Sequence, residues 1–416
     1  MIRMVEKGLA RLLLRLYDLA YIERWNDHPK PFHITELDKQ AHKAVIAYVI
    51  AKIERTEVKW RDLIEGLIFE ALQRSVLTDI KPPIFHRLVR EAGNRINAYV
   101  FDNAVPVLEM VDPGLARRFM EYFQTKENTL EKRIIKASHF LATYWEFQLI
   151  YSVGIRFYGI ERIKEAIEET IEDYFDLRAV ERIFLKKKTF NFIDLVGQLR
   201  FQKRWIQSPR IPLTTVLGHM YIVACLSYLI SYLGGACLRR RTLNFFTGLF
   251  HDLPEVTTRD IISPVKKGAK LEEPLKKIER EYLEGVILPL LPGFLEREFR
   301  YILGYIEEKD VYDEFACRVM PEGEKSRRVE EISPQLNRDE MNPIDGNLVK
   351  LSDITGAYAE ALLSLAHGIR SRHLKDGIGR LKSDLKEKTF GTVSFDLLSG
   401  ELRNAIQEEF GLDGLP

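Results

Sequence analysis

The sequence predicts an all-α chain arranged as two helical bundles in tandem, and three observations lead there. Nearly every informative stretch spaces its apolar residues with a helical period, β-branched alternation bounded by turn residues is scarce, and the second half of the chain repeats the first in order. At 416 residues the chain exceeds one ordinary domain, so two units are expected, residues 1–185 and 186–416, each long enough to bury a core.

Helical spacing covers about 4–24, 35–55, 59–75, 84–110, 112–125, 128–152, 159–173, 190–204, 213–233, 239–251, 271–290, 293–308 and 345–370, with Pro and Gly clusters between the segments. The first segment is basic and amphipathic, a pattern that also suits a membrane surface. A similar segment precedes Arg204-Trp205, so a helix facing the core is the expectation. Residues 311–343, which include PEGEKSRR and ISPQLNRDEMNP, keep no period and read as a long insertion.

The repeat rests on four pairings. Arg24-Trp25 is answered by Arg204-Trp205, and ITELDKQAHKAVIAYVIAKI (34–53) by IPLTTVLGHMYIVACLSYLI (211–230), which sets His42 opposite His219. LIFEALQRSVLTDIKPPI (67–84) faces LFHDLPEVTTRDIISPV (249–265), and Ser138-His139 faces Ser352-Asp353. The offsets, 180, 177, 182 and 214 residues, agree until the last, where an insertion at 311–343 accounts for the jump.

Composition excludes several classes. With 62 Lys and Arg against 61 Asp and Glu, a net charge of +1 leaves no basic surface for coating nucleic acid and no acidic tail. Cys225, Cys237 and Cys317 form no C-x-x-C pair and are odd in number, which argues against a disulfide framework or a thiolate metal site and makes a reducing cytoplasm the expected compartment. The longest apolar stretch, near Tyr221–Leu233, carries serines and ends in Gly-Gly, so no membrane span is expected.

The chemistry concentrates in the second half. His251 and Asp252 are adjacent at the end of an apolar helix, TLNFFTGLFHD, where regular hydrogen bonding stops and side chains can converge. Two imidazoles and two carboxylates suit a single divalent transition ion, such as Mn, Co, Fe, Ni or Zn, better than Ca or a thiophilic metal. Any one of these residues alone would more often be a core histidine or a helix-capping carboxylate; the ordered set is what points to a site.

The series His219, His251-Asp252 and Asp353 resembles the H…HD…D signature of the HD superfamily. HDLPEVTTRDIISPVK (251–266) is similar to the corresponding stretch of its 5′-deoxynucleotidase branch, HD-x-x-E-x-x-x-x-D-x-x-x-P-V-K, at every fixed letter. Arg204-Trp205 and VKLSDITGAYAEA resemble that branch too, so the likeness runs from about 190 to 400 apart from the insertion. The resemblance implies a helical bundle around one metal held by His219, His251, Asp252 and Asp353. It also implies Glu255 as the acid-base group, Arg204 on the phosphate, Asp260 on the sugar 3′-hydroxyl and Trp205 shaping the pocket. Gly218 stands where the family has a glutamate that would orient the first histidine, and Arg259 stands where a small residue is common. No histidine lies between His251 and Asp353, which argues against the two-metal members.

Carried back through the repeat, the four ligands become His42, Phe69, Glu70 and His139, with Gln73 near the place of Glu255. The first half is therefore expected to be a degenerate HD-like unit without catalysis, although a His, Glu, His set can still bind Zn, and a regulatory nucleotide is the alternative occupant. Such a unit would pack where the partner of a dimer normally sits, as a pseudo-dimer within one chain or a homodimer. The expected activity is hydrolysis of a phosphomonoester, a nucleoside 5′-monophosphate first. The alternatives are a nucleoside triphosphate or other small phosphate ester as substrate, and a nucleotide-sensing scaffold without catalysis.

Overall fold

The computed structural model describes residues 2–30, 32–54, 56–154, 157–259, 265 and 268–415. In the first half run α1 (Ile2–Asp18), α2 (Glu36–Ile53), α3 (Trp60–Leu77), α4 (Pro82–Val111), α5 (Pro113–Gln124), α6 (Leu130–Ser152), α7 (Ile160–Glu172) and α8 (Arg178–Phe184). The second half adds α9 (Lys188–Gly197), α10 (Val216–Leu233), α11 (Leu238–Phe250), α12 (Glu255–Thr258), α13 (Glu272–Tyr282), α14 (Gly293–Ile302), α15 (Gly346–Ala366), α16 (Arg372–Leu385) and α17 (Phe395–Phe410). Three hairpins of two-residue strands are the β-structure among the described residues, so the fold is all-α as the apolar spacing predicts.

Three predicted helices stop short, 4–24, 190–204 and 293–308, and the first two do so for the same reason. After α1 the backbone pairs with the approach to α2: Arg24 N–H donates to Ile34 O at 2.8 Å and Glu36 N–H to Ile22 O at 2.9 Å. After α9 and a 3₁₀ turn at Gln198–Phe201, Arg204 N–H donates to Thr214 O at 3.1 Å and Val216 N–H to Gln202 O at 2.9 Å. A residue that closes a loop in this way cannot also continue a helix. Helices α8, α12, α16 and α17 are additions to the predicted segments.

The core is continuous across both halves. At its centre α10 lies against α2, α11 and α15, while α1 packs on α4 and on α17. Helix α10 is long and apolar enough to cross a bilayer, with a mean hydropathy of 1.6, which the sequence reading did not expect. It is 89% buried inside the protein, and its apolarity serves a helix surrounded on all sides. The seam between α2 and α10 is polar at one point, where Thr215 donates its hydroxyl to Asp38 of α2. There a Cβ on Gly218 would come within 3.0 Å of the Asp38 carboxylate.

The two halves repeat their local geometry at an offset of 180 residues. Isolated bridges join Glu23 to Thr35 and Lys203 to Thr215. Trp25 and Trp205 both adopt left-handed backbone, φ 56° and 55°. Thr35 and Thr215 both cap the following helix through their hydroxyls. In this register the residue that answers His219 is Lys39, the fourth after its capping threonine, and the pairing of His42 with His219 is out by nearly one turn. His42 instead donates from Nε2 to Ile193 O, 3.0 Å away, with its ring edge-on to Trp145.

The insertion is ordered. It opens on the strand Val311–Tyr312, paired with Tyr305–Ile306 just before it, and contains the hairpin Arg318–Val319/Arg327–Arg328. Arg318, fully buried, donates to the backbone carbonyls of Tyr301, Ile302, Glu314 and Ala316 at 2.8–3.1 Å. One guanidinium thus satisfies carbonyls that no helix or sheet uses, which is how a segment without periodicity acquires a fixed path.

Candidate metal centre

Four local structures deliver the site. His219 sits in the first turns of α10, fully buried. His251 and Asp252 follow the last residue of α11, in the tight turn that leads into α12. Asp353 and Glu360 lie two turns apart on one side of α15. Arg204 and Trp205 come from the loop before α10.

The side chains converge. Nε2 of His219 is 2.8 Å from Oδ1 of Asp353, and the two histidine rings are 5.7 Å apart between centroids. One donor atom from each of His219, His251 and Asp353 can be chosen so that all lie within 4.8 Å of one another, a spacing a single ion can bridge. Asp252 stands beside this trio, its Oδ2 3.2 Å from His251 Nε2 and 3.4 Å from Arg204 Nη1. The side chains of Asp252 and Asp353 are 20% and 27% exposed whereas both imidazoles are sealed, so the centre opens on its carboxylate side.

The residues fit a divalent cation. His251 Nδ1 lies 2.8 Å from Gly248 O, which fixes that nitrogen as a donor and turns Nε2 toward the trio. That Nε2 is buried and faces Asp252 Oδ2 at 3.2 Å, so a cation can take the place of its proton. His219 Nδ1 is 3.3 Å from Glu360 Oε1, so a carboxylate orients the imidazole from behind. This role was expected to be missing because Gly218 replaces a glutamate; Glu360, seven residues beyond Asp353, fills it from another helix. Gly356 makes the approach possible, since a Cβ there would meet His219 Cε1 at 3.2 Å.

The electrostatics run the same way. Burial opposes a charge on His251, yet Asp252 and then Asp353 outweigh it and hold the imidazole up at about 9. Burial likewise works against the Asp353 carboxylate, but His219, His251 and Arg204 keep it below its ordinary value. Asp252 is held low against burial by His251 and Arg204. Glu360, fully buried, is kept charged by Arg204 and Arg210 against the cost of burial. Carboxylates outnumber cations here, and a field that retains a proton on His251 also attracts a metal ion.

The remaining predicted site residues fall as follows. Arg204 spans the carboxylates, with Nε 3.2 Å from Glu360 and Nη2 3.9 Å from Asp353. Trp205 donates its indole N–H to Glu360 at 3.0 Å and lays its ring where a Cβ on Gly377 would be 2.6 Å away. Glu255 is buried at the start of α12, its carbonyl accepting from Gln202 at 3.1 Å. Asp260, and Lys266 of the same motif, lie outside the described residues.

Sequence reasoning missed Glu360 and Arg210, which meet at 3.2 Å, and the contact of the insertion with the site. Phe315 brings its ring to 6.4 Å from His251. Burial raises the Glu314 carboxyl, and Asp252 is near enough to push it the same way. A glutamate within the apolar run AYAEALLS was the available signal for Glu360.

The comparisons with known proteins bear on the same segment. Residues 196–382 match the HD domain family. The matched segment holds all of the site residues above, from Arg204 to Glu360, and leaves the first 195 residues outside it. HD domains are metal-dependent, and the trio His219, His251 and Asp353 is a group among the described residues that could hold a metal ion. The chain is also similar to a 4′-phosphooxetanocin A phosphatase of Priestia megaterium, 30% identical over 117 residues. That alignment covers 27% of this chain and 59% of the relative's length.

Proposed function

We propose that the second half of this chain is a metal-dependent phosphohydrolase that removes the phosphate of a small phosphomonoester, with a nucleoside 5′-monophosphate as the leading substrate. The observation that carries this reading is the convergence of His219, His251 and Asp353 donors within 4.8 Å beneath a face lined by Asp252 and Arg204. The HD match and a relative whose name states a phosphatase support it.

The ligands would be His219, His251, Asp252 and Asp353, and a divalent Mn, Co, Fe, Ni or Zn ion bound there would supply Lewis acidity to a phosphoryl oxygen and to water. Arg204 offers the substrate phosphate a guanidinium fork already held in place by Glu360. Glu255, three residues beyond Asp252, takes or returns the proton of water or of the departing alkoxide. Trp205 is assigned to the pocket wall and Asp260 to the sugar hydroxyl.

The first half is assigned as a degenerate copy of the same unit, in divisions close to 1–185 and 186–416. What supports this is the shared 180-residue register of bridges, caps and left-handed tryptophans. The continuous core then makes the chain a pseudo-dimer.

Metal content and phosphate release from a panel of monophosphates, triphosphates and sugar phosphates test the reading, with wild type beside Asp252→Ala and Glu255→Ala. The expected outcome is about one ion per chain and release from monoesters that both variants lose. No phosphate from any ester with Mn or Co supplied would overturn the enzymatic claim, and release confined to triphosphates would overturn the substrate.

A further inference from the structure

Lys39 and His139 occupy, in the first half, the positions of His219 and Asp353. Lys39 is the fourth residue after its capping threonine, as His219 is after Thr215. His139 precedes Glu146 by the seven residues that separate Asp353 from Glu360, and both glutamates accept the Arg and Trp side chains of their own half. The pairs also touch alike: the Lys39 ammonium is 2.9 Å from His139 Nδ1, beside 2.8 Å for His219 and Asp353.

The charge around the two pairs is opposite. Near His219 stand Asp252, Asp353 and Glu360 against Arg204 and Arg210. Near His139 stand Arg24, Lys39, Lys43 and Arg74 against Glu36, Glu70 and Glu146. Three of these four cations are tied or close to a carboxylate: Arg24 lies 2.9 Å from Glu146 and 2.8 Å from Glu36, Lys43 lies 3.1 Å from Glu70, and Arg74 only approaches Glu36 at 3.9 Å. Nη1 of Arg74, a side chain that is nine-tenths buried, has no hydrogen-bond partner among the described residues. Burial and then the surrounding cations Lys39, Lys43, Arg74 and Arg24 press the His139 imidazole well below its ordinary value, and Lys39 is likewise pressed down by burial and by Arg24. A buried cluster whose basic side chains press on one another, with a guanidinium N–H left unanswered, favours an anion over a metal ion. His139 and Glu70 are partly exposed, so a small ion can reach it.

We propose that this cluster, Lys39, Lys43, Arg74 and His139, is a metal-independent binding site for a phosphate oxyanion, either free phosphate or the phosphoryl group of a monoester. A phosphate oxygen accepts from Arg74 Nη1 and from Lys39 Nζ, and its negative charge lets Lys39, Lys43 and Arg74 share the space with less mutual repulsion. The proposal uses the correspondence between halves and does not depend on the second half being catalytic.

The test uses the full chain carrying Asp353→Ala and treated with a chelator, titrated by calorimetry with inorganic phosphate and, separately, with a nucleoside 5′-monophosphate. The expected result is one phosphate site per chain that survives loss of the metal centre. Arg74→Gln should weaken it about tenfold or more, the scale of one charge-assisted hydrogen bond. His139→Glu should do the same while keeping the fold, because the new carboxylate pairs with Lys39; it serves if Arg74→Gln fails to fold. Binding of phosphate alone points to the free ion, and binding of the monoester alone to the phosphoryl group. No binding of either probe without metal, or binding untouched by His139→Glu, would overturn the proposal, whereas loss of phosphate release by the metal-loaded wild type would leave it standing.

Discussion

The two halves carry one clamp around two different centres. In each, an arginine and a left-handed tryptophan deliver N–H groups to a fully buried glutamate: Arg24 and Trp25 to Glu146 at 2.9 Å each, Arg204 and Trp205 to Glu360 at 3.2 and 3.0 Å. In the second half the glutamate continues to a histidine, and the centre is a set of candidate metal ligands. In the first half Arg200 takes that place on Glu146, at 3.1 Å, and a lysine stands where the histidine would be. The clamp is therefore scaffolding that holds a helix pair in register whatever chemistry lies beneath, and the sign of the centre is set by a few positions around it. Converting a metal site into a cation-filled one requires no change of fold, because an ammonium on a four-carbon stem places its own positive charge where an ion would sit.

The comparison breaks most sharply at Asp353. Asp353→Ala should abolish bound metal and cut phosphate release on the order of 10³-fold or more, since it removes a ligand and the charge that holds the ion. His139→Ala should leave metal content unchanged; a drop would mean the first half also holds an ion. A smaller effect is expected one layer out: Glu360→Gln should weaken metal affinity about 10- to 100-fold by freeing the His219 imidazole to rotate, measured by competition with a chelating dye. Glu146→Gln should instead act on stability, by about 3 kcal/mol or more, because it leaves Arg24 and Arg200 buried without their shared carboxylate; denaturant unfolding reads this directly.

Acid should expose a further difference. His42 is held neutral in the fold, its imidazole lowered to about 3 by burial and by Arg200. The unfolded chain binds a proton near pH 6.5 that the folded chain refuses, so this contribution is complete above about 6.5 and is lost as pH falls toward 3, with a limiting slope of about 1.4 kcal/mol per pH unit. Denaturation midpoints across pH 4–7 in chelator, with His42→Gln as the flattened control, check it; an unchanged slope in His42→Gln would remove His42 from the acid response. The least effect is expected for Trp205→Phe, which loses one hydrogen bond to Glu360 at about 1 kcal/mol and keeps the ring against Gly377.

Much of this was legible in the sequence because helices announce themselves through apolar period, and the ligands through their order. His219, His251, Asp252 and Asp353 could be picked out without coordinates, and three of them meet in one donor group. The orientation of His219 was not legible, since its carboxylate comes from Glu360 across the bundle and no spacing links the two. The register of the repeat was misjudged by three residues in α2 because one amphipathic helix aligns with another almost equally well one turn away, and the eye prefers histidine to lysine. The path of the insertion was hidden as well. It depends on Arg318 and four carbonyls, and a single buried arginine in a polar stretch leaves no pattern to read.

The contact between Asp38 and Thr215 beside Gly218 makes the halves unequal partners. Two first halves meeting along the same seam would set aspartate against aspartate, and two second halves would leave glycine facing glycine with nothing to fill the gap. The seam is keyed: it accepts one copy of each kind and rejects like with like. A chain carrying both kinds joined end to end always supplies the right neighbour, so the residues beneath one clamp can differ from those beneath the other without disturbing the seam between the halves.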